Sequence, residues 1–86
     1  MYKLKYRRQA RSFLARLPLK IKTAIVDKLY MLSQNPDSGS LDIKGLKGRE
    51  GFRLRVGQYR VLYTRNDDRF IIEIVKIRPR GDAYKE

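Results

Sequence analysis

Residues 52–63 read FRLRVGQYRVLY, and this stretch indicates the fold more clearly than the rest of the chain. Apolar side chains alternate mainly with arginines on both sides of a Gly-Gln pair at residues 57–58, which is the pattern of two strands joined by a two-residue turn. With that turn, Arg55 pairs with Arg60 across the hairpin. The apolar side chains then point to one sheet face, and Arg53, Arg55 and Arg60 point to the other.

The arginine face predicts an anion-binding surface. Like charges that face each other across a hairpin repel, so the arrangement adds nothing to a purely structural sheet. Several fixed guanidinium groups can instead hold phosphate oxygens in bidentate fashion. The alternative interpretation is a solvated face that is rich in arginine because the whole protein is basic.

The flanking sequence predicts the other elements. In residues 1–6 apolar and charged side chains alternate, which predicts a short strand with one solvent-exposed face. Residues 7–17 carry apolar side chains at helical spacing, and Pro18 then interrupts the helix. A second helical stripe ends before Asn35, which places Pro18 at or near the start of a second helix. Residues 70–77 are nearly all apolar, as in a strand covered on both faces.

The order of these elements predicts an α+β fold: an N-terminal strand, a helical hairpin and a three-stranded antiparallel meander, with the helices on one sheet face. The chain has 86 residues, of which 42% are hydrophobic, so it can bury one core but not two. We expect a single domain over residues 1–86.

The register of the last hairpin has two solutions. A three-residue loop that begins at Asn66 puts Lys76 and Arg78 on the face of Arg60, whereas a two-residue loop puts Glu73 there instead. We favour the first solution.

Composition excludes several classes of protein. The chain has no histidine and no cysteine, which rules out a Ser-His-Asp triad, a cysteine protease, a zinc finger and a disulfide framework. Lysine and arginine total 21 against 9 acidic residues, a net charge of +12 that favours a polyanionic partner. No apolar run approaches the roughly 20 residues that span a bilayer, and residues 1–8 lack a signal core, so we expect a cytoplasmic protein with no membrane partner.

The remaining motifs are weak. Asp67-Asp68 has no third acidic ligand at useful spacing, and the glycines of residues 45–51 form no nucleotide fingerprint, so we expect no metal and no cofactor. These glycines are expected to shape a loop. The cations in that segment are phosphate contacts or plain solvated charge; they are Lys44, Lys47 and Arg49.

Two segments resemble the RelE branch of the RelE/ParE toxin superfamily. They are residues 46–63, with Gly-x-Tyr-Arg-Val-x-Tyr, and residues 75–84, with Arg-x-x-x-x-x-Tyr. The resemblance implies a type II toxin that binds the ribosome and cleaves messenger RNA in the decoding (A) site. It also implies a cognate acidic antitoxin, similar to RelB, that holds the toxin inactive in a hetero-oligomer.

The resemblance also implies roles for individual residues. Arg53 and Arg55 stand where family members often have lysines that handle the 2'-hydroxyl and the phosphate. Arg60 corresponds to an arginine that stabilises the cleaved phosphate, Arg78 to one that protonates the leaving 5'-oxygen, and Tyr84 to a tyrosine that stacks on the substrate base. Further contacts with RNA or the ribosome are expected from Lys44, Lys47, Arg49, Lys76 and Arg80.

The departure at two of these positions affects the chemistry. Arginine stays charged under ordinary conditions, so neither Arg53 nor Arg55 is a convincing general base. Lys47 and Lys76 are the alternatives for proton removal. We therefore expect a metal-independent endoribonuclease that works by positioning and electrostatics and forms a 2',3'-cyclic phosphate.

Two other functions fit the sequence. One is a ParE-like inhibitor that binds DNA gyrase without cleaving RNA. The other is a basic nucleic-acid-binding module, or an inactivated toxin kept for binding. Tyr84 has its own alternatives, which are ordinary packing at the terminus or disorder.

Overall fold

The computed structural model describes residues 1–80. The elements in chain order are β1 (Lys3–Tyr6), α1 (Arg8–Arg16), α2 (Leu19–Gln34), β2 (Ile43–Gly45), β3 (Phe52–Val56), β4 (Tyr59–Asn66) and β5 (Ile71–Pro79). The strands form a five-stranded sheet in the order β1-β5-β4-β3-β2. Only the pairing of β1 with β5 is parallel among these strands.

The hairpin of β3 and β4 has the predicted register. Gly57 occupies the first turn position with a φ of 57°, a left-handed conformation that glycine adopts without the steric cost of a side chain. Arg55 therefore pairs with Arg60, and Leu54 pairs with Val61 on the opposite face. The turn thus determines which side chains share a face, as the alternation predicts.

The two helices lie on one face of the sheet, as expected. Pro18 precedes the first residue of α2, where a missing N–H costs nothing because the first helical donors are unpaired in any case. The helices and the sheet enclose a continuous apolar core; its fully buried members include Ile25, Leu29, Leu32, Leu54, Val61, Ile72, Ile74 and Ile77. None of the described helices has both the length and the apolar character to cross a membrane.

A short strand was not predicted. Residues 43–45 form β2, which pairs with β3 so that Lys44 lies opposite Arg53. The prediction that Lys44 belongs to a loop is therefore wrong, and the loop begins only at Leu46. Three residues that end in a glycine are too few to show an alternating pattern.

The last hairpin has neither of the two predicted loops. Asn66 pairs with Ile71, which leaves a four-residue loop, and Phe70 closes it with a φ of 54°. The register then shifts by one residue between Leu62 and Tyr63, where Val75 is the extra residue of β5. The longer loop alone would turn the side chains of β5 to the opposite faces. The bulge adds one residue to β5 and so returns the side chains beyond it to the predicted faces.

β5 is an interior strand of the sheet, but the prediction that both of its faces are covered is wrong. Ile72, Ile74 and Ile77 are fully buried under the helices, whereas Glu73 and Arg78 on the opposite face are half-buried. It pairs with β1 on one side and with β4 on the other. The run reads as nearly continuous because the bulge residue Val75 adds an apolar side chain between Ile74 and Ile77.

Two polar networks hold distant segments together. The side-chain amide of Gln9 in α1 donates to the carbonyl of Ile77 (3.2 Å) and accepts from its N–H (3.1 Å). At the other end of the sheet, Arg65 donates to Asp37 (3.0 Å) and to Asp67 (2.8 Å). The hydroxyl of Tyr2 also donates to Asp67 (2.9 Å).

Candidate nucleic-acid interface

The sheet face without helices, here called the open face, carries rows of side chains that cross the strands. The row next to the Gly57-Gln58 turn contains three arginines. Register places Arg55 of β3 beside Arg60 of β4, and Arg60 beside Arg78 of β5. Cross-strand neighbours of this kind have Cβ atoms about 5 Å apart. We call these three residues the arginine row.

A second row lies one step further from the turn. Its members, from β2 to β5, are Lys44, Arg53, Leu62 and Lys76. Leu62 is buried between two cations although it faces away from the helices. The prediction that Lys76 and Arg78 share the face of Arg60 is therefore confirmed, even though the loop that produces it differs.

The inner ends of these guanidinium groups are enclosed. The Nε atoms of Arg53, Arg60 and Arg78 are buried, and only 12% of the Arg53 side chain is exposed. Arg55 is more open, with 41% of its side chain exposed. A guanidinium that is held at its inner end loses less conformational freedom when it binds a phosphate.

Asp42 completes the arginine row at the edge of the sheet. Its backbone carbonyl accepts a hydrogen bond from the N–H of Arg55 (2.9 Å), so the two residues lie side by side. Its carboxylate accepts a hydrogen bond from Nη2 of Arg53 at 3.0 Å and lies 3.7 Å from Nε of Arg55. Sequence reasoning missed Asp42 because it missed β2; the pairing of Lys44 with Arg53 would have placed it.

The other predicted contact residues lie away from the centre of the face. Lys47 and Arg49 are exposed in the loop of residues 46–51, separated from the turn by the length of β3, about 14 Å. Arg80 follows β5 beside the turn, where its N–H donates to the carbonyl of Gln58 (2.7 Å). Tyr84 lies outside the described residues.

A groove of about 700 Å³ continues the open face toward β1. Register aligns Thr64, Glu73 and Lys5 there, from β4 across β5 to β1. Arg7 donates two hydrogen bonds to Glu73 (3.1 and 3.3 Å), and these bonds raise the pKa of Arg7. Because charges of both signs meet in this groove, the cationic character of the face is concentrated in the two rows near the turn.

The described residues contain no group of three or more acidic, histidine or cysteine side chains that could hold a metal ion. Within the Asp67-Asp68 pair, Asp67 is engaged by Arg65 and Tyr2. Guanidinium and ammonium groups predominate in the two rows near the turn. These groups can bind phosphate and stabilise negative charge that develops on it.

Comparison with known proteins assigns the family. The family model described as "ParE toxin of type II toxin-antitoxin system, parDE" matches residues 4–84. The chain belongs to the RelE/ParE superfamily. It is a toxin of a type II toxin-antitoxin system, and its similarities place it on the RelE branch.

The relatives of this RelE/ParE toxin agree in sequence and in fold. A RelE-like toxin protein of Escherichia coli is 29% identical over 85 residues, which covers 96% of this chain and 90% of that protein. The archaeal RelE-RelB complex from Pyrococcus horikoshii contains a chain that is 30% identical, with a TM-score of 0.81 and coverage of 93% and 96%. The toxin-antitoxin complex RelBE2 from Mycobacterium tuberculosis gives 28% identity, a TM-score of 0.75 and coverage of 92% and 98%.

Proposed function

We propose that this toxin is a ribosome-dependent endoribonuclease that cleaves messenger RNA in the decoding site and thereby inhibits translation. The observation that carries the proposal is the arginine row, three guanidinium groups side by side on an open sheet face. Such a surface complements the RNA backbone in charge and in hydrogen-bonding geometry. The general occurrence of endoribonucleases among RelE-like toxins supports the same function.

The proposed reaction is an internal transfer at phosphorus. The ribose 2'-oxygen attacks the adjacent phosphorus and loses its proton to a base, while the bond to the 5'-oxygen breaks and that oxygen takes up a proton. The products are a 2',3'-cyclic phosphate and a 5'-hydroxyl. Arg55 and Arg60 neutralise the charge that builds on the phosphate oxygens. Arg78, at the end of the row, donates a hydrogen bond to the leaving 5'-oxygen, which takes its proton from water.

Proton removal from the 2'-hydroxyl needs a group other than arginine. Arg53 and Arg55 keep their protons under ordinary conditions and therefore act by positioning and charge. Of the two lysines considered, Lys76 has the better support, because it shares the open face with Arg53 and Arg78. Lys47 lies in the loop of residues 46–51, beyond the far end of β3.

Dependence on the ribosome is consistent with the chemical groups of this site. A site rich in fixed cations and poor in acid-base groups accelerates cleavage mainly when the 2'-oxygen is already in line with the leaving oxygen. The decoding site supplies that geometry by holding the messenger RNA. We therefore expect naked RNA to be bound but cut slowly by the toxin alone.

An acidic antitoxin similar to RelB is the proposed partner in the cell. The toxin carries a net charge of +12, and an exposed cationic face of this kind binds nucleic acid without sequence preference. The solved relatives include a RelE-RelB complex and the RelBE2 toxin-antitoxin complex. An acidic antitoxin segment that covers the arginine row neutralises the toxin, in a cytoplasmic hetero-oligomer.

The test is primer extension on messenger RNA in a reconstituted translation system, with and without ribosomes. We expect cuts at decoding-site positions that require ribosomes and that fall by about 100-fold or more in Arg60→Ala and in Arg78→Ala. Arg11→Ala is the matched control, because it removes the same charge from the exposed surface of α1. Equal activity of the Arg60 and Arg11 variants would refute the role of the arginine row.

A ParE-like inhibitor of DNA gyrase is the second candidate, and the description of the matching family model favours it. The two functions predict opposite results in one experiment. Cells that express a gyrase inhibitor accumulate cleaved DNA and keep intact messenger RNA, whereas an endoribonuclease leaves DNA intact and cuts messenger RNA. Harmless expression without an antitoxin would instead indicate a binding module or an inactive toxin.

A further inference from the structure

The contact between Asp42 and the two arginines of β3 is unexpected on a surface built for anions. The carboxylate reaches Nη2 of Arg53 (3.0 Å) and lies 3.7 Å from Nε of Arg55. It is itself 54% exposed, so it is accessible from solvent. Its charge neutralises part of the field at the edge of the open face. A side chain that only strengthened the fold would not need to face the proposed RNA site.

The Asp42 carboxylate occupies donors that a phosphate would use. A guanidinium binds an oxyanion in bidentate fashion either through its two Nη atoms or through Nε and Nη2, so Nη2 belongs to both modes. In Arg53 that atom is bonded to Asp42, and Nε is buried. Nη2 has two N–H donors, and Asp42 takes one of them, so a phosphate that approaches the Arg53 guanidinium meets a negative carboxylate on the same nitrogen and competes with it.

We propose that Asp42 is a resident counter-anion of the proposed RNA site, which a backbone phosphate must displace from Arg53 and Arg55. The backbone of Asp42 is held by the hydrogen bond from Arg55 N–H to its carbonyl and can stay in place while the side chain is displaced. Only the carboxylate has to rotate away. The inference rests on the proposed function in taking RNA as the ligand.

The consequence is a lower affinity for arbitrary RNA than the cationic face would otherwise have. Each phosphate contact releases counterions and strengthens binding regardless of sequence. An internal carboxylate makes one such contact less favourable. RNA that is held in place by the ribosome bears this penalty more easily than a free strand, because its positioning has already been achieved.

The test measures binding of a short, fluorescein-labelled single-stranded RNA of mixed sequence to the purified full chain by fluorescence anisotropy at several salt concentrations. Asp42→Asn keeps the size of the side chain and removes its charge. We expect about five- to tenfold tighter binding at low salt, and a slope of log affinity against log salt that is steeper by about 0.7, the value for one added phosphate contact.

Two further variants complete the experiment. Asp27→Asn changes the net charge equally on the exposed surface of α2, and it should leave affinity and slope close to those of the wild type. Asp42→Glu restores the carboxylate and should restore the weaker binding. Unchanged or weaker binding by Asp42→Asn would overturn the inference, because it would mean that the carboxylate only positions the arginines.

The same proteins in the ribosome assay separate this inference from the proposed function. If the wild type cuts no messenger RNA while Asp42→Asn binds RNA more tightly, the proposed function fails and the counter-anion stands. If the wild type cuts messenger RNA while Asp42→Asn binds RNA no more tightly, the function stands and the counter-anion fails.

Discussion

Among single residues, Tyr63 combines deep burial with a polar group that has no partner among residues 1–80. It is 1% exposed, and its ring stacks on Phe52 with centroids 5.5 Å apart. Its hydroxyl oxygen is buried and makes no hydrogen bond within the described part of the chain. Burial raises the pKa of Tyr63 to about 12. The unpaired hydroxyl therefore lowers the stability of the folded protein, and burial of the aromatic ring compensates for this loss.

Tyr63→Phe should preserve or raise stability, by up to about 1 kcal/mol at neutral pH, because it removes an unpaired buried hydroxyl. The two proteins should differ more at high pH. Between pH 10 and 12 the unfolded state ionises Tyr63 and the folded state does not, so the wild type loses up to about 1.4 kcal/mol per pH unit through this group. Urea unfolding at pH 8 and pH 11 measures the difference.

Tyr30→Phe is the control, since Tyr30 is half exposed on α2. Its removal should leave the alkaline loss of stability as it is in the wild type. A Tyr63→Phe protein that is less stable at pH 8 would show that the hydroxyl has a partner. One that loses as much stability at pH 11 as the wild type would show that folding does not shift the ionisation of Tyr63.

Among the elements, β5 is paired on its β1 side partly by a strand and partly by a side chain. Tyr6 is the last residue of β1 in register with β5, so the parallel ladder ends at Ile74. The amide of Gln9 then takes the place of a further strand residue by bonding both the N–H and the carbonyl of Ile77. Arg78 of the arginine row follows directly.

Gln9→Ala should destabilise the protein by about 2 kcal/mol, because it leaves two part-buried backbone groups of Ile77 without these partners. Chemical denaturation measures the loss, and hydrogen exchange should accelerate at the Ile77 amide. Gln34→Ala is the matched control. Among residues 1–80, the Gln34 side chain donates to the exposed Tyr30 hydroxyl (3.2 Å) and to no other group, so its loss should stay within about 0.5 kcal/mol. Equal losses in both variants would contradict the edge-pairing role.

The two hairpins explain what the sequence could and could not predict. The first was predictable because a glycine stands at the turn position that needs a positive φ, and the flanking residues alternate. The second was not, because Phe70 takes the left-handed position where glycine is expected. The bulge at Val75 has no signal in a run of apolar residues. The predicted face of Arg78 is correct because loop and bulge together restore the alternation.

The candidate site was predictable to the same extent as the strands that carry it. Arg53, Arg55 and Arg60 follow from the first hairpin alone. Asp42 required knowledge of β2, whose three residues are too short for any periodic pattern. Its charge also gave no reason to expect it on a face of cations.

For the whole molecule, Arg65 joins segments that are far apart in the chain. It bonds Asp37, which follows α2, and Asp67, which follows β4, and its guanidinium lies 5.8 Å from the ring centroid of Tyr2 near the N-terminus. Hydrogen bonds from Arg65 and Tyr2 lower the pKa of Asp67. The charged form of Asp67 is therefore favoured in the folded protein.

Acid should weaken the protein through this network. A carboxyl group whose pKa is lowered by folding contributes stability above its unfolded pKa, and that contribution is lost as pH falls through the folded pKa. Asp67→Asn should therefore have a lower melting temperature than the wild type at pH 7 and a smaller further loss as pH falls below about 4. Thermal unfolding followed by circular dichroism across this range measures both effects.

Asp68→Asn tests whether position in the loop or contact with Arg65 matters. Asp68 is the exposed neighbour of Asp67 in the same loop, so its substitution should leave both the melting temperature and the acid dependence close to wild type. Identical behaviour of the two variants would mean that the Arg65 network does not tie the molecule together.

The position of β5 between β1 and β4 sets the point in synthesis at which the sheet and its arginine row can be completed. The last of the described strands is inserted next to the first, so Lys3 finds its partner Ile71 only when nearly the whole described chain has been made. Pairing between such distant residues makes folding slow relative to chains with local contacts. Arg78 arrives on that same strand. A nascent chain that still lacks β5 therefore has no complete arginine row and cannot yet present the cationic face of the folded toxin.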